Sequence, residues 1–178
     1  MILGDADIRK LVEDKCISSP DHELYIGPAS LDVRLGNTFL LPKRRILGIR
    51  LGAEIKYRRF WVGNDDVFTI DPGQFALATT MEVFYIPPTL AAYVQGRSSI
   101  GRAGLTVQNA GYVDPGFHGA ITLELKNETC NTLYLKPGYP VAQMIFEQCT
   151  TVEKPYKGKY NGQVEATGSR MYLDREAE

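Results

Sequence analysis

The chain has 178 residues, 44% of them hydrophobic, and a formal net charge of −1 from 20 Lys and Arg against 21 Asp and Glu. This length fits one domain with a substantial core, and the balanced charge excludes a general electrostatic attraction for nucleic acid or an anionic membrane. Three widely spaced cysteines without a CxxC pair argue against a disulfide framework or a zinc site, so we predict a cytoplasmic protein. From the balanced charge we predict no nucleic-acid or membrane partner.

The first predicted element is a short N-terminal helix. Asp5 is expected to cap this helix, and Ile8, Leu11 and Val12 fall on one face at three- and four-residue spacing. We expect the helix to end near Lys15.

Short β-strands are predicted along the middle of the chain. Apolar and polar residues alternate over residues 30–35, and similar segments follow at residues 67–70, 75–80, 82–86, 91–95, 120–125, 132–135 and 141–147. Pro-Gly and Pro-Pro pairs separate several of these segments. Because a helical period is nearly absent, the pattern predicts a mainly β domain over residues 1–150, built as a two-sheet sandwich, a jelly roll or a distorted barrel.

Two regions lie outside the strand pattern. Phe60 and Trp61 stand in a basic stretch, and we interpret them as anchors of a loop rather than as nucleic-acid contacts. Residues 151–178 have little to bury, so they are typical of a frayed terminus. Their lysines, tyrosines and glutamine would equally suit a flap over phosphates, within the same single domain.

Charged and hydroxyl residues concentrate among glycines in residues 96–125. Such groups need partners when they are buried, so the segment favours a binding site for a polar, phosphorylated ligand over ordinary core strands. Arg97, Ser98, Ser99 and Arg102 can donate to anions, and the glycines let backbone N–H groups approach a ligand. The alternative is a β-turn that carries incidental arginines.

Two carboxylates follow that segment. Glu124 alternates with apolar residues, which predicts that it faces away from the core of its own subunit. It is either a solvated surface residue or part of a site. Asp114 precedes a Pro-Gly pair, where it could cap a turn or take part in chemistry. His22 and His118 are too few and too scattered to predict a metal site.

Several blocks of sequence resemble one known family. PASLDVRLG, PGQFALATTMEVFYIP, GRSSIGRAGL, NAGYVDPGFHGAITLEL and KYNGQ occur in this order and are followed by SRMY. Together they resemble the dCTP deaminase branch of the dCTP deaminase and dUTPase superfamily. The resemblance implies a homotrimer with a dUTPase-like distorted jelly roll or β-barrel and a short N-terminal helix, acting on deoxycytidine and deoxyuridine nucleotides.

The resemblance also implies residue roles. Glu124 would act as general base and then general acid, with Ser98 and the backbone around Ala110 placing the water and Arg102 stabilising negative charge. No metal would activate that water, so zinc is not expected, and Mg²⁺ would arrive bound to the triphosphate. The remaining substrate-binding positions implied by the family are Arg97, Ser99, Asn109, Tyr156, Lys159 and Gln163.

The family contains enzymes with different products. Gly111 followed by an aromatic residue resembles members that deaminate dCTP and also cleave between the α and β phosphates to give dUMP. Asp114 matches the position associated with that second step. The alternatives are a deaminase that releases dUTP, a dUTPase without deaminase activity and a catalytically silent nucleotide sensor on the same fold.

Overall fold

The structure is a computed structural model that describes residues 1–44, 48–108 and 111–174, and β-strands are the main kind of regular secondary structure in it. A nine-stranded sheet and a separate two-stranded sheet account for the strands within these described ranges. The elements are α1 (Asp5–Glu13), β1 (Ile17–Ser18), β2 (Leu31–Pro42), β3 (Tyr57–Trp61), β4 (Phe68–Ile70), β5 (Phe75–Tyr85), β6 (Leu90–Gly96), α2 (Ser98–Arg102), β7 (Leu105–Val107), β8 (Tyr112–Val113), β9 (His118–Asn127), β10 (Leu133–Leu135), β11 (Pro140–Gln148) and a 3₁₀ turn (Met171–Leu173).

The large sheet has the strand order β7-β9-β5-β2-β11-β6-β8, with β1 added beside β5 and β3 beside β2. The paired strands run antiparallel. Register shifts interrupt the pairs β2·β5, β5·β9 and β11·β2. Because bulges bend a strand and increase its twist, these shifts curl the sheet around one apolar core, in agreement with the predicted distorted barrel.

The N-terminal helix differs from the prediction at both ends. Gly4 is the N-cap, and Asp5 is the first helical residue, so the predicted capping role of Asp5 is wrong. At that position its carboxylate still lies at the favourable, positive end of the helix. The predicted apolar face is confirmed, since Ile8 is fully buried and packs in the core. The helix ends at Glu13, and Lys15 adopts a left-handed backbone conformation with φ of 58°.

Most predicted strands are confirmed, with longer boundaries in some cases. The strand predicted at residues 30–35 continues to Pro42, and the two predicted at 75–80 and 82–86 form the single strand β5. β3 was not predicted, because the basic residues there resemble a loop. β3 joins the large sheet by pairing with β2, and its Phe60 packs edge-on against Phe68 of β4, with 5.5 Å between ring centroids.

A buried ion pair joins β2 to β5. Arg34 is 3% exposed and Glu82 is fully buried, and the Arg34 Nε donates to Glu82 Oε1 at 2.7 Å. The guanidinium also donates to Asp21 at 2.7 Å and to the Ser19 hydroxyl at 2.6 Å. Burial raises the pKa of Glu82, although hydrogen bonds from Arg34 oppose that shift, and Arg34 holds the pKa of Asp21 well below its ordinary value. The cluster therefore ties the loop after β1 to the sheet.

Replacing Arg34 by Met should lower the free energy of unfolding by about 3 kcal/mol, because Glu82 would stay buried without a counter-charge. Urea unfolding at one fixed protein concentration measures the change. The double variant Arg34→Met/Glu82→Gln should recover part of the loss, since it leaves no unpaired buried ion. Equal losses in the single and double variants would contradict this assignment.

The C-terminal segment packs against the sheet without forming a strand of its own. Gln163 makes a parallel bridge to Gly119, and the Ala120 N–H donates to the Gln163 carbonyl at 2.8 Å. At Gln163 this segment therefore lies against β9. No helix in the described ranges is long and apolar enough to cross a membrane.

Candidate active site

A cavity of about 540 Å³ lies between β9, the loop after β8 and the C-terminal segment. Its walls combine apolar side chains with polar groups, as is usual for small-molecule sites. The polar and charged residues that line it are Tyr57, Gln108, Tyr112, Asp114, Thr122, Glu124, Tyr156, Tyr160, Gln163, Thr167 and Ser169. Among the described lining residues, Asp114 and Glu124 carry the formal charges, and both are acidic.

Glu124 enters the cavity because of the alternation along β9. Its neighbours Leu123 and Leu125 are 2% and 0% exposed and face the core, so Glu124 faces the other way, as predicted. The side chain is half-buried. Burial raises the pKa of Glu124 above the ordinary value of a glutamate. A higher pKa makes this carboxylate a stronger base towards water than an ordinary glutamate.

Asp114 reaches the same cavity from the turn after β8. Its carboxylate is exposed, and its backbone carbonyl accepts the Phe117 N–H at 3.1 Å. The Gly116 N–H, two residues on, donates to the Ile86 carbonyl at 2.8 Å. The turn is thus closed by backbone groups, and the Asp114 side chain is left facing the cavity.

The predicted tail residues divide into two groups. Tyr156 and Gln163 line the cavity, so the frayed-terminus alternative does not describe this part of the tail. The Tyr156 hydroxyl accepts the Tyr160 N–H at 3.2 Å. Lys159 lies away from the cavity lining and forms an ion pair with Asp174 instead. This contact occupies the ammonium group that was predicted to meet phosphate.

The GRSS segment leads into the short helix α2, so the alternative of a β-turn is wrong. Ser98, Ser99 and Arg102 belong to α2, where all three are exposed. Arg97 precedes the helix and pairs with Asp32 at 3.4 Å. None of these four residues lines the Glu124 cavity in the described part of the chain. A single subunit therefore keeps the predicted anion donors apart from the two carboxylates.

Two predicted positions lie outside the described residues, namely Asn109 and Ala110. The next residue, Gly111, lines the cavity. A Cβ atom at Gly111 would lie 2.6 Å from the Val94 carbonyl oxygen, so this close approach of two backbones requires glycine. Tyr112, the aromatic residue that follows, stacks edge-on against Tyr93 with 5.4 Å between ring centroids.

Several lining residues were not predicted from the sequence. Tyr57 comes from β3, which the sequence did not indicate as a strand. Thr122 shares the exposed face of β9 with Glu124, and the two-residue alternation that identified Glu124 also applies to it. Thr167 lies between the KYNGQ and SRMY blocks, and Ser169 is the first residue of SRMY; neither stands in a periodic strand pattern.

The described residues contain no group of three or more His, Cys, Asp or Glu side chains that could hold a metal ion. His118 lies beside Tyr85, with 6.3 Å between ring centroids.

Comparison with known proteins gives consistent matches along the chain. Residues 2–149 match the family model described as dCTP deaminase-like. The protein of Persephonella marina named "dCTP deaminase, dUMP-forming" is 43% identical over 180 residues, which cover 99% of this chain and 100% of the relative.

Two solved structures share the fold. The 2′-deoxycytidine 5′-triphosphate deaminase of Agrobacterium tumefaciens aligns with a TM-score of 0.66 and 21% identity, covering 82% of this chain and 47%, about half, of that chain. The dUTPase of Staphylococcus bacteriophage 80alpha aligns with a TM-score of 0.53 and 14% identity, covering 82% and 97%. At these identities the likeness concerns the fold alone.

Proposed function

Because the chain belongs to the dCTP deaminase-like family, we propose that it deaminates dCTP at cytosine C4 and then cleaves the product to dUMP and pyrophosphate. The family and the dUTPase-like fold predicted from the sequence blocks are both confirmed. The observation that carries the proposal is the half-buried Glu124 carboxyl, with its raised pKa, inside a cavity that also contains Asp114.

Deamination requires one group that moves protons between water, ring and leaving amine. Glu124 removes a proton from water as it attacks C4, and passes that proton to the ring nitrogen N3. It then takes the proton of the new hydroxyl and gives it to the amino group, which leaves as ammonia. The carboxylate is regenerated, and the C4 carbonyl of uracil is complete.

Among the described residues that line it, the cavity of one subunit has no cationic side chain for a triphosphate. Its charged lining residues in the described chain, Asp114 and Glu124, would repel phosphate, whereas Arg102 lies exposed elsewhere on the same subunit. The site is completed when a second copy brings Ser98 and Arg102 to the Glu124 cavity, with Arg97 and Ser99 directed to the phosphates. A closed ring of three identical heterologous contacts provides this arrangement three times.

Mixing two inactive variants tests the shared site. Chains with Glu124→Gln and chains with Arg102→Ala are co-expressed with different tags, and mixed assemblies are purified. In every mixed trimer, one of the three sites should combine an intact Glu124 with an intact neighbouring Arg102, so the purified mixed assemblies should show about a third of the wild-type turnover. Each variant alone is the control. If the mixed assemblies stay as inactive as the parents, the site does not combine these residues from different subunits.

The second step is hydrolysis between the α and β phosphates. Asp114 faces the cavity with a free carboxylate, and it orients a water in line with the α phosphorus and accepts its proton. Mg²⁺ bound to the triphosphate would neutralise charge on the phosphate oxygens. Asp114 is the exposed carboxylate in the cavity that could contact the hydrated ion.

Product analysis tests the whole proposal. The wild-type protein is incubated with dCTP and Mg²⁺, nucleotides are separated by anion-exchange chromatography, and ammonia and pyrophosphate are measured. We expect equal amounts of dUMP, ammonia and pyrophosphate, without accumulation of dUTP. Accumulation of dUTP as the final product would contradict the second step and leave a deaminase alone, and hydrolysis of added dUTP without any turnover of dCTP would leave a dUTPase alone.

A further inference from the structure

The C-terminal segment is held over the cavity by hydroxyl groups. We call residues 163–170 the strap. The backbone N–H groups of Ala166 and Thr167 donate to the hydroxyls of Thr38 and Thr122, at 2.9 and 3.0 Å. The Ser169 N–H donates to the Tyr57 hydroxyl at 3.2 Å. The strap is thus held mainly by side-chain hydroxyls of the β-strands. Its strand-like pairing is limited to the bridge at Gln163.

Thr122 differs from the other hydroxyls because it shares a strand face with Glu124. Both side chains line the cavity, and two residues along a strand separate them by about 7 Å. The Thr122 hydroxyl also lies 3.5 Å from Gln163 Oε1, and Gln163 Nε2 donates to the Ala120 carbonyl at 2.8 Å. Ala120 and Thr122 of β9 therefore hold the strap, and Glu124, the next alternate residue on the same strand, presents its carboxylate to the cavity.

We infer that Thr122 is a positioning residue, whose hydroxyl fixes the strap in register with Glu124 so that Gln163 and Thr167 close the cavity over the nucleotide. The identity of the nucleotide in this inference rests on the proposed function. The contact between Thr122 and the strap does not depend on it. A neutral hydrogen bond adds little net stability. The strap can therefore open to admit a ligand, and removing the Thr122 hydroxyl shifts it towards the open state.

The test compares Thr122→Val, which keeps the shape of the side chain and removes the hydroxyl, with Thr122→Ser, which keeps the hydroxyl. Thr69→Val, at an exposed strand position on β4 away from the strap, is the control for a threonine-to-valine change in a strand. Two readouts are used. Hydrogen exchange followed by mass spectrometry reports the strap amides, and steady-state kinetics with dCTP and Mg²⁺ report KM and kcat separately.

In Thr122→Val we expect exchange of the strap amides to accelerate about tenfold and the KM for dCTP to rise about tenfold, with kcat changed less than about twofold. Thr122→Ser should restore both values, and Thr69→Val should match the wild type. Unchanged strap exchange in Thr122→Val, or a wild-type KM beside active enzyme, would overturn the inference. If the wild type itself does not act on dCTP, the proposed function fails, while the exchange measurement still decides the role of Thr122.

Discussion

Glu124→Gln should lower the rate of ammonia release from dCTP by about 10³-fold or more, while nucleotide binding stays close to that of the wild type. The amide has nearly the same shape as the carboxyl but cannot take a proton from water or return it to the ring and the amine. Ammonia release measures the first effect, and titration calorimetry with dCTP measures the second.

Glu128→Gln is the matched control for that variant. Glu128 follows β9 directly, is exposed, and pairs with Lys126 on the surface, so the same chemical change there should leave turnover unaltered. Deamination by Glu124→Gln within about tenfold of the wild-type rate would remove Glu124 from the mechanism. Loss of binding together with turnover would instead indicate a purely structural role.

The raised pKa of Glu124 gives two dependences on pH with a defined sign. Since the base must be ionised to activate water, kcat/KM should fall as pH decreases through this pKa, at a pH above the ordinary value of a glutamate, about 4.3.

The stability of the fold should also depend on the ionisation of Glu124. A carboxyl whose pKa is higher in the folded state stabilises the fold most below its unfolded pKa. That stability is lost as pH rises through the folded pKa. Glu124→Gln should therefore raise Tm relative to wild type more at pH 7 than at pH 4.

The parts of the site that could be predicted from the sequence depend on local patterns. The two-residue alternation in β9 determined that Glu124 leaves the core, because its apolar neighbours must be buried. The Pro-Gly pair after Asp114 likewise predicted a turn from local residue preferences. These inferences need only the preferences of adjacent residues, and the structure agrees with them.

The remaining features depend on contacts between distant segments. Glu82 breaks the apolar alternation of its strand, and its burial makes sense only with Arg34, 48 residues earlier, beside it. β3 carries exposed arginines and becomes a strand because it pairs with β2 and packs Phe60 on Phe68. The sequence could likewise not show that α2 leaves Arg102 away from Glu124 within one subunit, since that depends on how the sheet curls.

Asp114→Asn should separate the two reactions. The asparagine can still occupy the turn, because the turn is closed by the Gly116 N–H on Ile86 and the Phe117 N–H on the Asp114 backbone carbonyl, and neither contact uses the carboxylate. It cannot take a proton from the water that attacks the α phosphorus. We expect dUMP formation to fall about 10³-fold, while ammonia is still released from dCTP at a rate close to that of the wild type, so dUTP accumulates.

The measurement is a time course of dCTP, dUTP and dUMP on one chromatogram, with Asp174→Asn as the control. Asp174 is also exposed but pairs with Lys159 outside the cavity lining, so this variant should still yield dUMP. A parallel loss of ammonia and dUMP in Asp114→Asn would mean that both reactions need this carboxylate, and unchanged dUMP would exclude it from phosphate chemistry. Accumulation of dUTP alone assigns the two acids of the cavity to two different bonds, Glu124 to the C4–N bond of cytosine and Asp114 to the bond between the α and β phosphates.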